Sequence, residues 1–162
     1  MEAAYDPPME QKTGTFLVTA AEADSAVLSD VRDGQVHTLA ENPGLAVDQV
    51  VEATIAPVRP LEVVWAVEDL EVTRDVTVVV SEERPTKTSR DLAASMDEGD
   101  LQTRERAGTG AIHVIPVPPE ITDAAVEDVL DDDQTLRMAA RLGIDRVEVR
   151  SEPGLVTVRY LP

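Results

Sequence analysis

Between residues 13 and 80, apolar and polar side chains alternate in short runs, and each run stops at a turn residue. Alternation with a period of two marks strands that bury one face. Phe16, Val18 and Ala20 share a face of a strand predicted over residues 13–20, and further strands are predicted over 25–31 and 35–39. Asp33-Gly34 between the last two is a hairpin signal, because glycine takes the positive φ that such a turn needs. Asn42-Pro43-Gly44 is a breaker. Beyond it, Val51, Ala53 and Ile55 oppose Val50, Glu52 and Thr54 over residues 50–55. Pro57 and Pro60 bracket a corner. Residues 61–72 read as a long strand with Val63, Trp65 and Val67 on one face, and residues 76–80 as a sixth strand of β-branched side chains. Six short strands without a helical period predict a small antiparallel β-barrel or rolled sheet, OB- or SH3-like.

The last third changes period. Residues 84–109 form a linker in which the spacing of Leu92 and Met96 predicts a helix over 89–106, capped by Ser89 and ended by Ala107-Gly108-Thr109-Gly110. A strand over 111–117 follows. Pro118-Pro119 opens a helix in which Ile121, Ala125 and Val129 repeat at intervals of four. Asp133 caps a second helix that buries Leu136, Ala139 and Ala140, and Gly143-Ile144 stops it. Residues 146–150 and 155–161 make a hairpin around Glu152-Pro153-Gly154. The expected class is α+β: a disordered arm over 1–12, a β-rich subdomain over 13–83, the linker over 84–109, and a small β-α-α-β-β subdomain over 110–162.

Composition sets the solvent. The 162 residues hold 32 acids against 14 bases, a net charge of −18, and Lys12 and Lys87 are the only lysines. Such charge opposes compaction at low salt, and molar salt screens it by shortening the Debye length to about 3 Å. An acidic, lysine-poor, Ala/Val-rich chain therefore points to a salt-filled cytosol, as in a halophilic microbe. The acids are uneven: residues 1–85 carry 17 against 5 bases, and residues 86–162 carry 15 against 9. Only 2% of the chain is aromatic, so its core is aliphatic. There is no cysteine, which excludes disulfides and thiolate chemistry. No apolar run approaches the roughly 18–20 residues of a membrane span, and residues 1–11 lack a signal pattern. The expected location is cytoplasmic, away from any membrane.

Little of the chain reads as catalytic. His37 and His113 sit among apolar strand neighbours, with no Ser or Asp setting around them. Asp131-Asp132-Asp133 lacks the alternating ligands and fixed glycine of a calcium loop. Gly108-Thr109-Gly110 precedes a strand rather than a helix, so it offers no phosphate cradle. No cofactor, metal or small-molecule substrate is identified. One constellation stands out. Arg146 and Arg150 on the first hairpin strand and Arg159 on the second share a face directed away from the helices. Three arginines there suit phosphate, RNA or an acidic partner, unless local acids such as Glu148 and Glu152 pair with them. Residues 47–55 also resemble the entry to a strand of small oligonucleotide-binding barrels, with Val47 where those have glycine. However, the β-rich half has few aromatics for base stacking.

Several segments resemble a family of uncharacterised haloarchaeal proteins, a domain of unknown function. They are Lys12-Thr13-Gly14-Thr15-Phe16-Leu17-Val18-Thr19, Val36-His37-Thr38-Leu39, Glu41-Asn42-Pro43-Gly44-Leu45, Arg104-Glu105-Arg106-Ala107-Gly108, residues 141–150 and Val158-Arg159-Tyr160-Leu161-Pro162. The resemblance implies a haloarchaeal origin and carries no activity or site residues. The sequence thus leads to a non-catalytic, cytosolic binding or adaptor protein with a protein partner, its contact face at Arg146, Arg150 and Arg159. An RNA or single-strand-binding module is the alternative, and an enzyme using carboxylates is the least favoured.

Overall fold

A computed structural model describes residues 11–60, 63–105 and 110–162, and the chain divides into two compact units between Asp75 and Val76. The expected arm over 1–12, the start of the strand at 61–72 and the glycine-bearing stretch at 107–109 fall largely outside the described residues.

The first unit holds β1 (Lys12–Glu22), β2 (Ser25–Asp30), β3 (Val36–Leu39), β4 (Val50–Pro57) and β5 (Trp65–Arg74). They close into a ring in the order β1-β2-β3-β5-β4, with β4 returning to β1. The pairs are antiparallel except β3 with β5, which is parallel through Leu39 and Trp65. The sequence reading expected antiparallel pairing throughout. Five strands around a closed ring cannot all alternate in direction, so one neighbouring pair must be parallel, and here it is β3 with β5. Phe16, Val18, Ala26, Leu28, Leu39, Val51, Ala53 and Ile55 fill the interior, with Trp65 and Val67 packed against them. A bulge after Val18 shifts the register, so Ala20 is exposed and Ala21 turns inward in its place. Val63, expected to share a face with Trp65, lies outside β5 and is exposed. The turn at Asp33-Gly34 is present, Gly34 having φ +75°.

The second unit is a five-stranded sheet in the order β6-β9-β10-β8-β7. Its strands are β6 (Thr77–Val80), β7 (Gln102–Glu105), β8 (Ala111–Pro116), β9 (Arg146–Glu152) and β10 (Leu155–Leu161), and its helices are α1 (Lys87–Ala93), α2 (Thr122–Asp131) and α3 (Asp133–Leu142). The β8-α2-α3-β9-β10 path is the expected one. Two edge strands are added to it. The run expected as a sixth strand of the N-terminal meander pairs instead in parallel with β9, from Thr77 against Arg146 to Val80 against Val149. The helix expected over 89–106 ends at Ala93. Gly99, with φ +88°, turns the chain, and its amide donates to the Pro116 carbonyl at 2.8 Å. Residues 102–105 then run back as β7 along β8. The cap of α1 is Thr86, whose hydroxyl accepts from the Ser89 amide at 3.2 Å, and Ser89 is buried.

Helices α2 and α3 cover one face of the sheet. Val126, Val129 and Ala139 meet Val147, Val149, Val156 and Val158 there. On the other face Leu92, Ala93 and Met96 cover Ile112, Val114 and Leu155. Asp132 rather than Asp133 caps α3, accepting from the Gln134 amide at 2.9 Å, while Asp133 pairs with Arg137 one turn on. Gly143 ends α3 in the left-handed region, and the Ile144 amide closes the turn on the Ala139 carbonyl at 3.0 Å.

Candidate functional site

The alternation in β9 and β10 does put Arg146, Arg150 and Arg159 on one face, and there they converge on Glu148. Arg150 Nε donates to Glu148 Oε1 at 2.7 Å and Arg159 Nη1 to the same oxygen at 3.2 Å, while Arg146 Nη2 lies 3.9 Å from Oε2. The side chains of Glu148, Arg150 and Arg159 are only 11%, 12% and 17% exposed; Arg146 is 58% exposed. The parallel placement of β6 brings residues 81–86 across this face. Arg150 reaches the Arg84 carbonyl at 3.4 Å and the Glu83 carboxylate at 3.5 Å, and Arg84 pairs with Glu152 at 3.0 Å. Burial alone would raise the Glu148 carboxyl. The Arg150 hydrogen bond and the charges of Arg150, Arg159 and Arg146 outweigh it and hold the group below its ordinary value. The face is a network of paired charges with Arg146 and Arg84 exposed at its margin.

A second polar cluster sits at one end of the ring. Lys12 Nζ donates to Asp33 at 2.8 Å, Gln35 at 3.1 Å and His37 Nε2 at 3.2 Å, and it lies 3.2 Å from Asp30. With Nε2 accepting, the His37 proton is on Nδ1, a buried atom with no hydrogen-bond partner among the described residues. The His37 ring lies edge-on between Phe16 at 6.0 Å and Trp65 at 4.5 Å. Burial first, and the Lys12 charge second, push the imidazole below its ordinary value, so it is neutral at pH 7. Replacing Lys12 with Met is expected to cost about 1–3 kcal/mol, the desolvation penalty of the buried Asp30 and His37 acceptors it leaves unmet. It should also raise the His37 pKa in an NMR titration; an unchanged pKa would contradict the contact.

The third feature was not legible as a site. A cavity of about 250 Å³ lies between α3 and strands β8 and β10. Its apolar lining includes Leu101, Ile115, Val129, Met138 and Val158, and its polar lining includes His113, Tyr160, Arg141 and Asp132. Val158 opposes His113 and Tyr160 opposes Ala111 across the β10–β8 ladder, which sets the two rings diagonally, 5.0 Å apart and edge to face. Neither side chain makes a hydrogen bond to another described residue. Burial first, then the Arg141 charge, keeps His113 below its ordinary value and therefore neutral. Burial pushes the Tyr160 phenol up to about 12, with Arg141 lowering it and Asp132 raising it. Arg141 therefore acts on both rings. The sequence held one usable signal: His113 and Tyr160 have the parity of the helix-covered face. The volume beside them depends on where α3 lies.

Two further hollows are plainer. One is lined by Asn42, Pro43, Val58 and Val67, with the Asn42 amide committed to the Glu22 and Leu45 carbonyls. The other is lined by Glu120, Asp123 and Glu152. Among the described residues, no group of three or more His, Asp or Glu side chains could hold a metal ion, and no helix is long and apolar enough to cross a membrane.

Fold and site together define a two-unit α+β protein: a closed five-stranded ring, then a five-stranded sheet bearing a small, partly apolar cavity. Residues 12–151 match a family of unknown function, DUF5812, and the chain belongs to that family. No curated protein and no solved structure matches it.

Proposed function

We propose that the protein is a non-catalytic binding protein of a haloarchaeal, salt-rich cytosol, which recognises a small ligand in the cavity beneath α3. One observation carries this reading. An apolar hollow holds two ring-bearing polar side chains, His113 and Tyr160, whose hydrogen-bonding capacity no described residue takes up. Apolar walls with a few convergent polar groups of shifted pKa are the general form of a ligand site. The test is a fragment set of charged and neutral monocyclic compounds, followed by NMR at the His113 and Tyr160 side chains. Binding near 1 mM, worth about 4 kcal/mol, is expected in the wild type and lost when Met138→Trp fills the cavity. No perturbation of either residue by any fragment would sink the reading.

The ring is proposed to be a scaffold of the oligonucleotide-binding type, a five-stranded Greek-key barrel. Its strand order favours nucleic-acid binding as a second reading. Against that, Phe16 is buried inside the ring and Trp65 packs on the same interior cluster, so neither offers a stacking platform. Labelled RNA in molar KCl is expected not to bind; binding by the wild type would restore the second reading. The face of Arg146, Arg150 and Arg159 ranks behind the cavity as a contact for a protein partner, through the exposed Arg146 and Arg84.

Salt adaptation has its own test. Screening that gains only about 2 kcal/mol would raise the melting midpoint of a unit of 60–100 residues by roughly 8–16 °C. A rise of that order is expected between low and molar KCl. A flat or falling midpoint would overturn the salt-rich setting.

A further inference from the structure

We infer that the ligand of the α3 cavity is an uncharged monocyclic compound, apolar over most of its surface, with a hydrogen-bond donor and an acceptor on one edge for His113 and Tyr160. This rests on the cavity being a ligand site at all.

Size comes first. About 250 Å³ is below the roughly 300–1,000 Å³ of ordinary small-molecule sites, so the occupant is no larger than a ring and a side group. Leu101, Ile115, Val129, Met138 and Val158 suit the apolar body of such a ring. Charge comes next. The charged side chains lining the cavity are Asp132 and Arg141, and both are engaged. Asp132 Oδ1 accepts from the Gln134 amide at 2.9 Å; Arg141 Nη2 donates to Met138 Sδ at 3.6 Å, and Arg141 has a further partner. They stand at the cap and in the last turn of α3, about 14 Å apart along the helix at 1.5 Å per residue. A charged ligand between them would be drawn to one and repelled by the other, and burying its charge among aliphatic walls without a partner is costly.

The uncharged polar groups then set the recognition. Thr135 spends its hydroxyl on the Val129 carbonyl at 3.0 Å, and Gln134 is exposed. The rings of His113 and Tyr160 lie 5.0 Å apart, Tyr160 is buried, and neither side chain bonds to another described residue. The imidazole, kept neutral chiefly by burial, has one N–H and one bare nitrogen, and the protonated phenol can donate. A carbonyl suits the Tyr160 hydroxyl, and an N–H suits the bare nitrogen of His113. A ligand that lacks either leaves a buried polar group unmet and loses affinity.

The probes are benzamide, its charged analogues of the same shape, benzoate and benzamidine, and acetophenone, which keeps the carbonyl and lacks the N–H. Each is titrated against the full chain while His113 and Tyr160 are followed by NMR. Molar KCl screens the chain's charge of −18 within about 3 Å, so the series reads the cavity rather than the long-range field. Benzamide is expected to bind at least about tenfold more tightly than benzoate or benzamidine, a difference of roughly 1.4 kcal/mol, and about fivefold more tightly than acetophenone. Tyr160→Phe removes a hydroxyl without a described protein partner, so the variant should fold, as circular dichroism reports. Its benzamide affinity, read at His113, should fall about tenfold. Benzoate or benzamidine binding as tightly as benzamide would overturn the uncharged ligand while leaving the cavity as a ligand site. Acetophenone matching benzamide, or an unchanged affinity in folded Tyr160→Phe, would overturn the donor-and-acceptor edge. Binding of none of the four would overturn both the inference and the reading beneath it.

Discussion

Glu148→Ala is expected to destabilise the C-terminal unit by about 3–5 kcal/mol, the cost of stranding buried charge when one partner of an enclosed ion pair is removed. Arg150 and Arg159 are nearly enclosed, and both donate to the same carboxylate oxygen. With that oxygen gone, Arg150 keeps the Glu83 carboxylate at 3.5 Å and the Arg84 carbonyl at 3.4 Å, while both guanidiniums lose their central counter-charge. Every described helix belongs to this unit, so ellipticity at 222 nm during urea unfolding follows it. A loss below about 1 kcal/mol would mean that the cluster behaves as a solvated surface pair and is not enclosed. Replacing Glu148, Arg150 and Arg159 together with apolar residues of similar volume should recover much of the loss, because the desolvation cost of all three charges disappears with them. Acid gives an independent check. The folded Glu148 carboxyl titrates below its ordinary 4.5. Its contribution is therefore complete above about pH 5 and is lost as pH falls through the lower folded value. The Glu148→Ala variant should lose less stability over that interval than the wild type.

That cluster also shows how far the sequence could be read. Alternation in residues 146–150 and 155–161 assigned the three arginines to one face, and the ladder agrees, pairing Arg159 with Glu148 and Leu161 with Arg146. What covers the face depends on a pairing 69 residues away in the chain, between β6 and β9. A run such as Thr77–Val80 carries strong strand propensity and no address. The same four residues would satisfy a ring edge or a sheet edge, and the local pattern cannot choose. Elements fixed by backbone chemistry were the legible ones: the Gly34 hairpin, the Asn42-Pro43-Gly44 break, and the Gly143-Ile144 stop. Where the signal was a weak apolar spacing, as for Leu92 and Met96, the helix existed but its length did not follow. It ended at Ala93, Gly99 turned the chain, and the Gln102–Glu105 stretch became a strand because β8 offered a free edge. The candidate cavity was the least legible feature. His113 and Tyr160 each look like ordinary strand residues, and only the β10–β8 register brings their rings together.

Phe16→Ala is expected to cost the N-terminal unit about 3–5 kcal/mol, the upper range for core truncations. Phe16 is fully buried, and its neighbours in the interior are mainly Val, Ala, Leu and Ile. A Cβ at Gly14 would stand 3.6 Å from the Phe16 ring, an ordinary contact, and 3.3 Å from the Asp30 carboxylate, the tighter of the two. In a closed ring the walls are hydrogen-bonded strands on all sides, and they cannot collapse far into a vacated space. Loss of the Phe16 ring would also remove one side of the packing around the buried His37 imidazole. Trp65 is the only tryptophan, and it packs on the same cluster, so its fluorescence reports this unit selectively. The expected result is a large fall in the Trp65-detected denaturation midpoint. Val36→Ala, at an exposed outward position of β3, should move it by no more than about 0.5 kcal/mol. A Phe16→Ala effect as small as that control would mean that the interior can repack around the gap, and the ring would then be a softer element than its closure implies.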